Sequence, residues 1–139
     1  MAGAGFYAIH TSKLSFHRDG RWYADDEPVI HERLARLFSR YVRRRPAGHG
    51  YEIWIDERYH ADIEVEDTPF VVTSVVANSD GTFALELNDG TVELLDPMYL
   101  TVGDAARMYC LVKQGTERAL LLAAHRILPI GRVHRHPRG

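Results

Sequence analysis

The chain has 139 residues, enough for one domain or for two small lobes that share a core. Its composition, with 45% hydrophobic and 26% charged residues, is typical of a soluble globular protein. A formal net charge of −2 gives no global field that would attract a nucleic acid or a membrane, so neither is predicted as a partner. The charge is unevenly spread, because residues 51–112 carry thirteen acidic and two basic residues while the flanking segments are basic.

The single cysteine, Cys110, rules out a disulfide within the chain and favours a reducing, cytoplasmic location. Cys110 alternates with Met108 and Val112 in a strand-like pattern, which predicts a buried and inert thiol. The first residues lack the basic and long apolar regions of a signal peptide. The longest apolar stretch, residues 119–124, is too short to cross a bilayer. We therefore expect a cytoplasmic protein.

The first lobe is predicted to span residues 13–68, after a lead-in of residues 1–12. Alternation of apolar and polar residues begins at Leu14, and Asp19-Gly20 supplies the positive φ of a tight turn. This pattern predicts a hairpin with Trp22 on its second strand.

A helix is predicted next, starting near residues 25–28, where acids and a proline suit a first turn, and running to about Arg45. Its apolar residues recur at helical spacing, and they are Leu34, Leu37, Phe38, Tyr41 and Val42. Pro46 ends it. Two strands with alternating apolar residues follow, at residues 51–55 and 63–65.

The second lobe is predicted to span residues 69–129, followed by a basic tail of residues 130–139. Its first strand, residues 70–76, has apolar residues on both faces, which is typical of a central strand buried on both sides. A closing helix is predicted to open at Gly115-Thr116-Glu117 and to run to Leu128, because this segment is apolar nearly all round and Thr116 can cap it.

Three Asp-Gly pairs lie between apolar alternations, which favours antiparallel hairpins over a parallel sheet. They are Asp19-Gly20, Asp80-Gly81 and Asp89-Gly90. The predicted fold class is therefore α+β, with two small lobes of similar layout, each built from antiparallel hairpins and one helix.

The least ordinary feature is a set of arginines in the first predicted helix. Arg33, Arg36, Arg40, Arg43 and Arg44 fall within about a 100° arc opposite the apolar stripe. Like charges at this spacing repel, so an anionic group would stabilise the helix. That group could be the acidic middle of the chain, a phosphate-bearing ligand or a nucleic acid. The alternative is a face that is solvated or paired within the chain, which is the commoner state of such side chains.

The acids of the first lobe could hold a cation. Asp62, Glu64 and Glu66 alternate on a strand and point to one face, with Asp67 beside them. No calcium-binding loop is present, however, and exposed strand faces are often acidic for solubility. The eight histidines show no metal-binding spacing, and the chain has no nucleophile motif or phosphate-binding loop. We therefore predict no metal, no cofactor and no catalytic residue.

Taken in order, six segments resemble the bacterial family catalogued as domain of unknown function 1285, over roughly residues 14–128. The segments are Phe16-His17-Arg18-Asp19-Gly20-Arg21-Trp22, Leu34-Ala35-Arg36-Leu37-Phe38-Ser39, Val65-Glu66-Asp67-Thr68-Pro69-Phe70, Leu87-Asn88-Asp89-Gly90, Asp96-Pro97-Met98-Tyr99-Leu100 and residues 109–128. The chain departs from the family at His31, where relatives often have an arginine before the first helix.

The resemblance implies two small α+β lobes, the second superficially similar to pleckstrin-homology folds. It also implies a cleft between the lobes as the expected site, with a nucleotide-type ligand and a role in signalling.

We therefore interpret the chain as a non-catalytic ligand-binding or regulatory module that holds a nucleotide or other small anion between its lobes. The predicted ligand-binding residues are Arg33, Arg36 and Arg40 for charge, Glu66 and Asp67 for hydrogen bonding, and Trp22 and Phe70 as walls. The alternative is a protein–protein interaction adaptor without a small ligand.

Overall fold

A computed structural model of the chain describes residue 9, residues 12–122 and, for the backbone alone, residues 134–135. The chain divides into two compact units, residues 1–69 and residues 70–139, which we call lobe 1 and lobe 2. Each lobe has its own mixed β-sheet, and the fold class is α+β, as predicted.

The described part of lobe 1 contains six strands in one sheet. They are β1 (Leu14–Phe16), β2 (Trp22–Ala24), β3 (Glu27–Pro28), β4 (Val42–Arg44), β5 (Tyr51–Trp54) and β6 (His60–Val65). Their order across the sheet is β3-β2-β1-β6-β5-β4. All neighbours are antiparallel except β1 and β6, which run parallel with Ser15 opposite Glu64. This parallel pair places the first hairpin directly beside the acidic strand.

Helix α1 (Glu32–Arg40) packs its apolar side against the first hairpin. The ring of Phe38 meets the ring of Trp22 edge-on, with centroids 5.5 Å apart, and Trp22 in turn contacts Phe16 at 5.1 Å. The indole N–H of Trp22 donates to Ser39 Oγ at 2.8 Å, so its polar atom is satisfied in the core. Leu14 and Ile53 are also buried in lobe 1.

The predicted helix is confirmed in its body and wrong at both ends. It begins at Glu32, and residues 25–28 form a turn and the short strand β3. It ends at Arg40, and the next residues form β4, in which Val42 lies opposite Ile53 of β5. The pairing of β4 with β5 supplies backbone hydrogen bonds in place of those of a further helical turn, and β-branched Val42 suits a strand.

The described part of lobe 2 contains seven strands. They are β7 (Phe70–Ala77), β8 (Phe83–Leu87), β9 (Val92–Leu94), β10 (Thr101–Val102), β11 (Met108–Val112), β12 (Glu117–Leu121) and β13 (His134–Arg135). Their order is β13-β10-β11-β12-β7-β8-β9. The pairs β12–β7 and β10–β13 are parallel and the others antiparallel. Short 3-10 helices, Pro97–Tyr99 and Asp104–Ala106, connect β9, β10 and β11.

The core of lobe 2 lies on one side of this sheet. It includes Val72, Leu85, Leu87, Leu100, Cys110 and Leu121, each at most 1% exposed. The prediction that Cys110 is a buried thiol on a strand is confirmed. Strand β7 is an interior strand, as predicted, but it is buried on both faces only at Phe70–Val72, since Val76 and Ala77 are exposed.

The predicted closing helix of the second lobe is wrong over Glu117–Leu121, which forms strand β12 between β11 and β7. A short apolar run suits a helix and a doubly buried strand equally well, and here Ala119, Leu120 and Leu121 are all buried. Thr116 does not cap a helix but donates its hydroxyl to the carbonyl of Lys113 within a turn. Residues 123–128 of the predicted helix lie outside the described residues, as does most of the predicted tail.

Candidate functional site

Helix α1 presents three of the predicted ligand-binding residues on its exposed side. Arg33, Arg36 and Arg40 are all exposed, and none has an ion-pair or hydrogen-bond partner among the described residues. Spacings of three and four residues place the three side chains within an arc of about 60°. His31 caps the helix, because its Nδ1 accepts the Leu34 N–H at 3.3 Å. The departure from the family at this position therefore has a structural role.

The predicted arginine face loses its last two members, because they lie on β4 and not on the helix. Arg43 pairs with Glu52 at 2.7 Å and stacks over Trp54 at 4.4 Å. Arg44 lies over the ring of Tyr51, 5.5 Å from its centroid. Both arginines are therefore engaged within lobe 1.

Glu66 and Asp67, the predicted hydrogen-bonding residues, are engaged by Arg18. The Arg18 N–H donates to Glu66 Oε1 at 2.6 Å, and its guanidinium approaches Glu66 at 3.8 Å and Asp67 at 3.4 Å. None of the α1 arginines pairs with these two acids. Arg18 was not predicted as a partner of these acids. Only the parallel pairing of β1 with β6 brings it close to them, and no local sequence pattern predicts that pairing.

The two predicted walls are core residues of separate lobes. Trp22 is 1% exposed beneath α1, where it supports the helix. Phe70 is 6% exposed in the core of lobe 2, where Lys113 Nζ lies 5.1 Å from its ring centroid.

We call the side of the lobe 1 sheet opposite α1 the outer face of lobe 1. A cavity of about 550 Å³ opens on this face. Its described lining is Ser15, His17, Glu64, Val65 and Glu66. The Oγ of Ser15 lies 3.0 Å from His17 Nε2, and Tyr23 stacks on the imidazole at 4.0 Å. Neither Ser15, His17 nor Tyr23 was predicted as a site residue.

This serine–histidine pair does not have the geometry of an acyl-transfer site. A nucleophilic serine needs an open approach to its Oγ, whereas Ser15 is 5% exposed in the middle of a strand flanked by β2 and β6. The carboxylates of the cavity are also neutralised at its rim, because Lys13 pairs with Glu64 at 3.1 Å and Arg18 with Glu66.

Lobe 2 holds a single buried ion pair among its described residues. Lys113 Nζ donates to Asp89 Oδ2 at 2.6 Å and to Thr91 Oγ1 at 2.9 Å, and the Lys113 N–H donates to the carboxylate of Glu93 at 2.9 Å. Burial opposes ionisation of Asp89, but the hydrogen bonds from Lys113 and Thr91 outweigh it and hold the pKa of Asp89 below its usual value. The cluster ties the turn after β11 to the β8–β9 hairpin.

The described residues contain no group of three or more histidine, cysteine or acidic side chains placed to hold a metal ion. Within the same part of the chain, no helix has the length and apolar character needed to cross a bilayer.

Two solved structures share the fold of the chain. A DUF1285 family protein from Silicibacter pomeroyi superposes with a TM-score of 0.65 and 19% identity, covering 84% of this chain and 70% of its own. A DUF1285 family protein from Shewanella baltica superposes with a TM-score of 0.63 and 16% identity, covering 81% of this chain and 86% of its own. No family model matches the sequence, and no curated protein matches it either.

The resemblance drawn from the sequence is therefore confirmed at the level of the fold, which is that of the DUF1285 proteins. The family name denotes a domain of unknown function. The likeness thus supplies an architecture and no activity.

Proposed function

We propose that the chain is a non-catalytic binding module whose helix α1 takes a small anionic ligand of the nucleotide or phosphate class. Arg33, Arg36 and Arg40 would supply the charge. One observation carries the proposal: the three side chains are exposed on one side of one helix, and none is paired among the described residues.

The chemistry of arginine favours this ligand class. Its guanidinium is planar and always charged, and its N–H groups match the oxygens of a phosphate in a two-pronged contact. From Arg33 to Arg40 the helix rises by about 10 Å, a length along which more than one phosphate group can be contacted. A bound anion would also relieve the repulsion between like charges three and four residues apart.

Three other arginines of lobe 1 are already paired with acids. Arg18, Arg43 and Arg45 each pair with a carboxylate within 3.4 Å. Glu66 and Asp67 are committed to Arg18, so in this proposal they position that arginine and do not contact the ligand. A module that binds a ligand without catalysing a reaction can act only by responding to the ligand. We therefore extend the proposal to a regulatory role in signalling.

The test is a thermal-shift screen of the full chain against inorganic phosphate, pyrophosphate, ATP, GTP and cyclic dinucleotides, at low and physiological salt. A ligand that binds only the folded state at a hundredfold excess over its Kd adds about 2.7 kcal/mol to the free energy of unfolding. The melting midpoint should then rise by several degrees. Arg36→Ala should abolish the rise, because it removes the central guanidinium.

The control is Arg58→Ala, which removes another exposed arginine, one that lies over the ring of Tyr59 in the turn between β5 and β6. The proposal requires the midpoint rise to survive physiological salt, to disappear in Arg36→Ala and to persist in Arg58→Ala. If both variants lose the rise in melting midpoint equally, the rise depends on the net charge of the chain, and this result contradicts a site on α1. No rise with any compound contradicts the anion proposal.

A second candidate function is a protein–protein interaction adaptor. It is favoured by a set of exposed apolar side chains in lobe 2, of which Val76, Val92 and Leu94 are each more than half exposed. Monomeric proteins rarely leave contiguous apolar surface of this kind uncovered without a binding role.

A further inference from the structure

Strands β7, β8 and β9 have one side facing the core of lobe 2 and an opposite side, which we call the outer face of lobe 2. Leu85 and Leu87 face the core, so their neighbours Ala84 and Glu86 point outward. The register places Val76 and Leu94 on either side of Ala84, and Val92 opposite Glu86. The outer face therefore carries a row of apolar side chains, of which Val92 and Leu94 are 65% exposed and Val76 is 56% exposed.

Strand β9 is also the last strand at this edge of the sheet. The N–H groups of Leu87 and Leu95 donate to the carbonyls of Thr91 and Phe83, which fixes the hydrogen-bonded pairs of the ladder. Because these pairs alternate along antiparallel strands, the N–H and C=O groups of Val92 and Leu94 point away from β8. They have no partner among the described residues. The edge thus offers unpaired backbone groups beside exposed apolar side chains, the combination on which an added strand forms.

The charges around this edge indicate the chemistry of the added strand. Residues 70–122 of lobe 2 include seven acids and three bases. Each of these bases is already engaged: Lys113 with Asp89 and Thr91 just before β9, Arg118 over the ring of Tyr109, and Arg107 with the carbonyl of Asp104. Exposed Asp96 follows β9, and Glu86 lies on the outer face itself. The field at the edge is therefore acidic, and a basic partner complements it.

We propose that the edge of β9 docks an extended segment of a partner protein, in which apolar residues alternate with polar ones between flanking lysines or arginines. The segment pairs with the free backbone groups of Val92 and Leu94 and continues the sheet. Its apolar side chains lie beside theirs on the outer face, and its basic residues meet the acidic surroundings. The inference rests on the adaptor function, the second candidate above, and is independent of the anion site on α1.

The test uses the full chain and three capped heptapeptides. The probe is KVTVTVK, which has the proposed alternation, and the comparison peptides are KVVVTTK, of the same composition without alternation, and EVTVTVE, with the charge reversed. Titrations followed by amide chemical shifts locate the site and give the affinity. We expect KVTVTVK to bind at least about tenfold more tightly than either comparison peptide, with shifts centred on residues 91–95.

Matched variants assign the site. Val92→Thr/Leu94→Thr makes the edge less apolar, places β-branched residues at both positions and leaves the charge unchanged. It should weaken binding of KVTVTVK at least about tenfold. Leu111→Thr makes the same change at an exposed residue of the interior strand β11 and should leave the affinity unchanged.

Four outcomes would overturn the proposal: no binding of KVTVTVK up to about 1 mM, equal binding of KVVVTTK, equal loss in Leu111→Thr, or shifts centred away from β9. Sedimentation analysis supplies a fifth. If the chain self-associates and Val92→Thr/Leu94→Thr is monomeric, the occupant of the edge is a second copy and not a basic segment. These outcomes are separate from those of the anion screen, whose variants lie in lobe 1.

Discussion

The outer faces of the two sheets are built in opposite ways. On the outer face of lobe 1, side chains of opposite charge pair with one another: Lys13 with Glu64, Arg43 with Glu52, and Arg45 with Asp62. On the outer face of lobe 2, the corresponding cross-strand neighbours are Val76, Ala84 and Leu94. One face satisfies its own charges in water, and the other leaves apolar surface exposed.

The difference bears on which of the two faces we propose to bind a partner. Exposed ion pairs add little stability, but they keep a sheet surface solvated. An exposed apolar face adds no stability either, and its burial against another molecule is favourable by roughly 25 cal/mol for each Å² removed from water. The face of lobe 2 is therefore the better candidate for contact with a macromolecule, and the unpaired arginines of α1 are the better candidate for a small anion.

The lobes also differ in where they keep titratable groups. Each described ion pair of lobe 1 has at least one substantially exposed side chain, and its buried acid, Glu52, pairs with half-exposed Arg43. In lobe 2, both Asp89 and Cys110 are buried. The free energy of unfolding depends on pH, and on the partners of an ionisable group, much more strongly when that group is buried than when it is exposed. Lobe 2 should therefore be the more sensitive of the two.

The largest effect that would sharpen this contrast is expected for Lys113→Met. The substitution keeps the apolar stem but leaves Asp89 buried without its cation, and the unfolding free energy should fall by about 3 kcal/mol. Urea unfolding followed by far-UV circular dichroism measures it. Since both tryptophans, Trp22 and Trp54, lie in lobe 1, fluorescence reports that lobe separately.

The matched control is Lys13→Met, which breaks an ion pair of similar length whose two side chains are more than 60% exposed. Its unfolding midpoint should match that of the parent chain, because solvent already screens the pair. Equal losses in the two variants would show that burial does not distinguish the two ion pairs.

A second, smaller effect is expected at alkaline pH. Burial, together with the nearby carboxylate of Glu93, raises the pKa of Cys110 to about 12, from 9.0 for an unperturbed thiol. Between these values the unfolded chain loses the thiol proton first and binds fewer protons than the folded chain. Stability is therefore full below pH 9 and falls above it, by up to about 1.4 kcal/mol per pH unit.

The measurement is the unfolding free energy between pH 7 and pH 10.5, for the parent chain and for Cys110→Ala. Lysines and tyrosines titrate in the same range, so the informative quantity is the difference in slope between the two proteins. The parent should show the steeper fall. Parallel curves would mean that the thiol ionises as readily in the folded chain as in the unfolded one.

The local pattern of the sequence predicts most of the fold of this protein. The Asp-Gly turns, the alternation around Leu14 and the body of α1 are local features, and each leads to the observed element. The failures, at Glu27–Pro28, Val42–Arg44 and Glu117–Leu121, are segments whose structure depends on a neighbouring strand. An apolar run such as Ala119–Leu121 carries no periodicity that separates a buried helix from a buried strand.

The candidate site is less predictable, for the same reason. The three arginines of α1 follow from helical spacing alone, and the structure keeps them on one side of the helix. The engagement of Glu66 and Asp67 by Arg18 requires the parallel pairing of β1 with β6, over a separation of nearly fifty residues. The position of β9 at the edge follows from the strand order of the sheet, which the alternation of apolar and polar residues does not reveal.

The smallest effect on stability is expected for Val92→Thr/Leu94→Thr. Both side chains are 65% exposed and lie on an edge strand, so the unfolding free energy should change by less than about 0.5 kcal/mol in urea. A loss above about 1 kcal/mol would mean that the two side chains pack within the chain, and the contrast between the outer faces would disappear. A neutral result combined with loss of peptide binding assigns the apolar edge to recognition. Nothing in the folding of lobe 2 would then require valine and leucine at these two exposed positions of its edge strand.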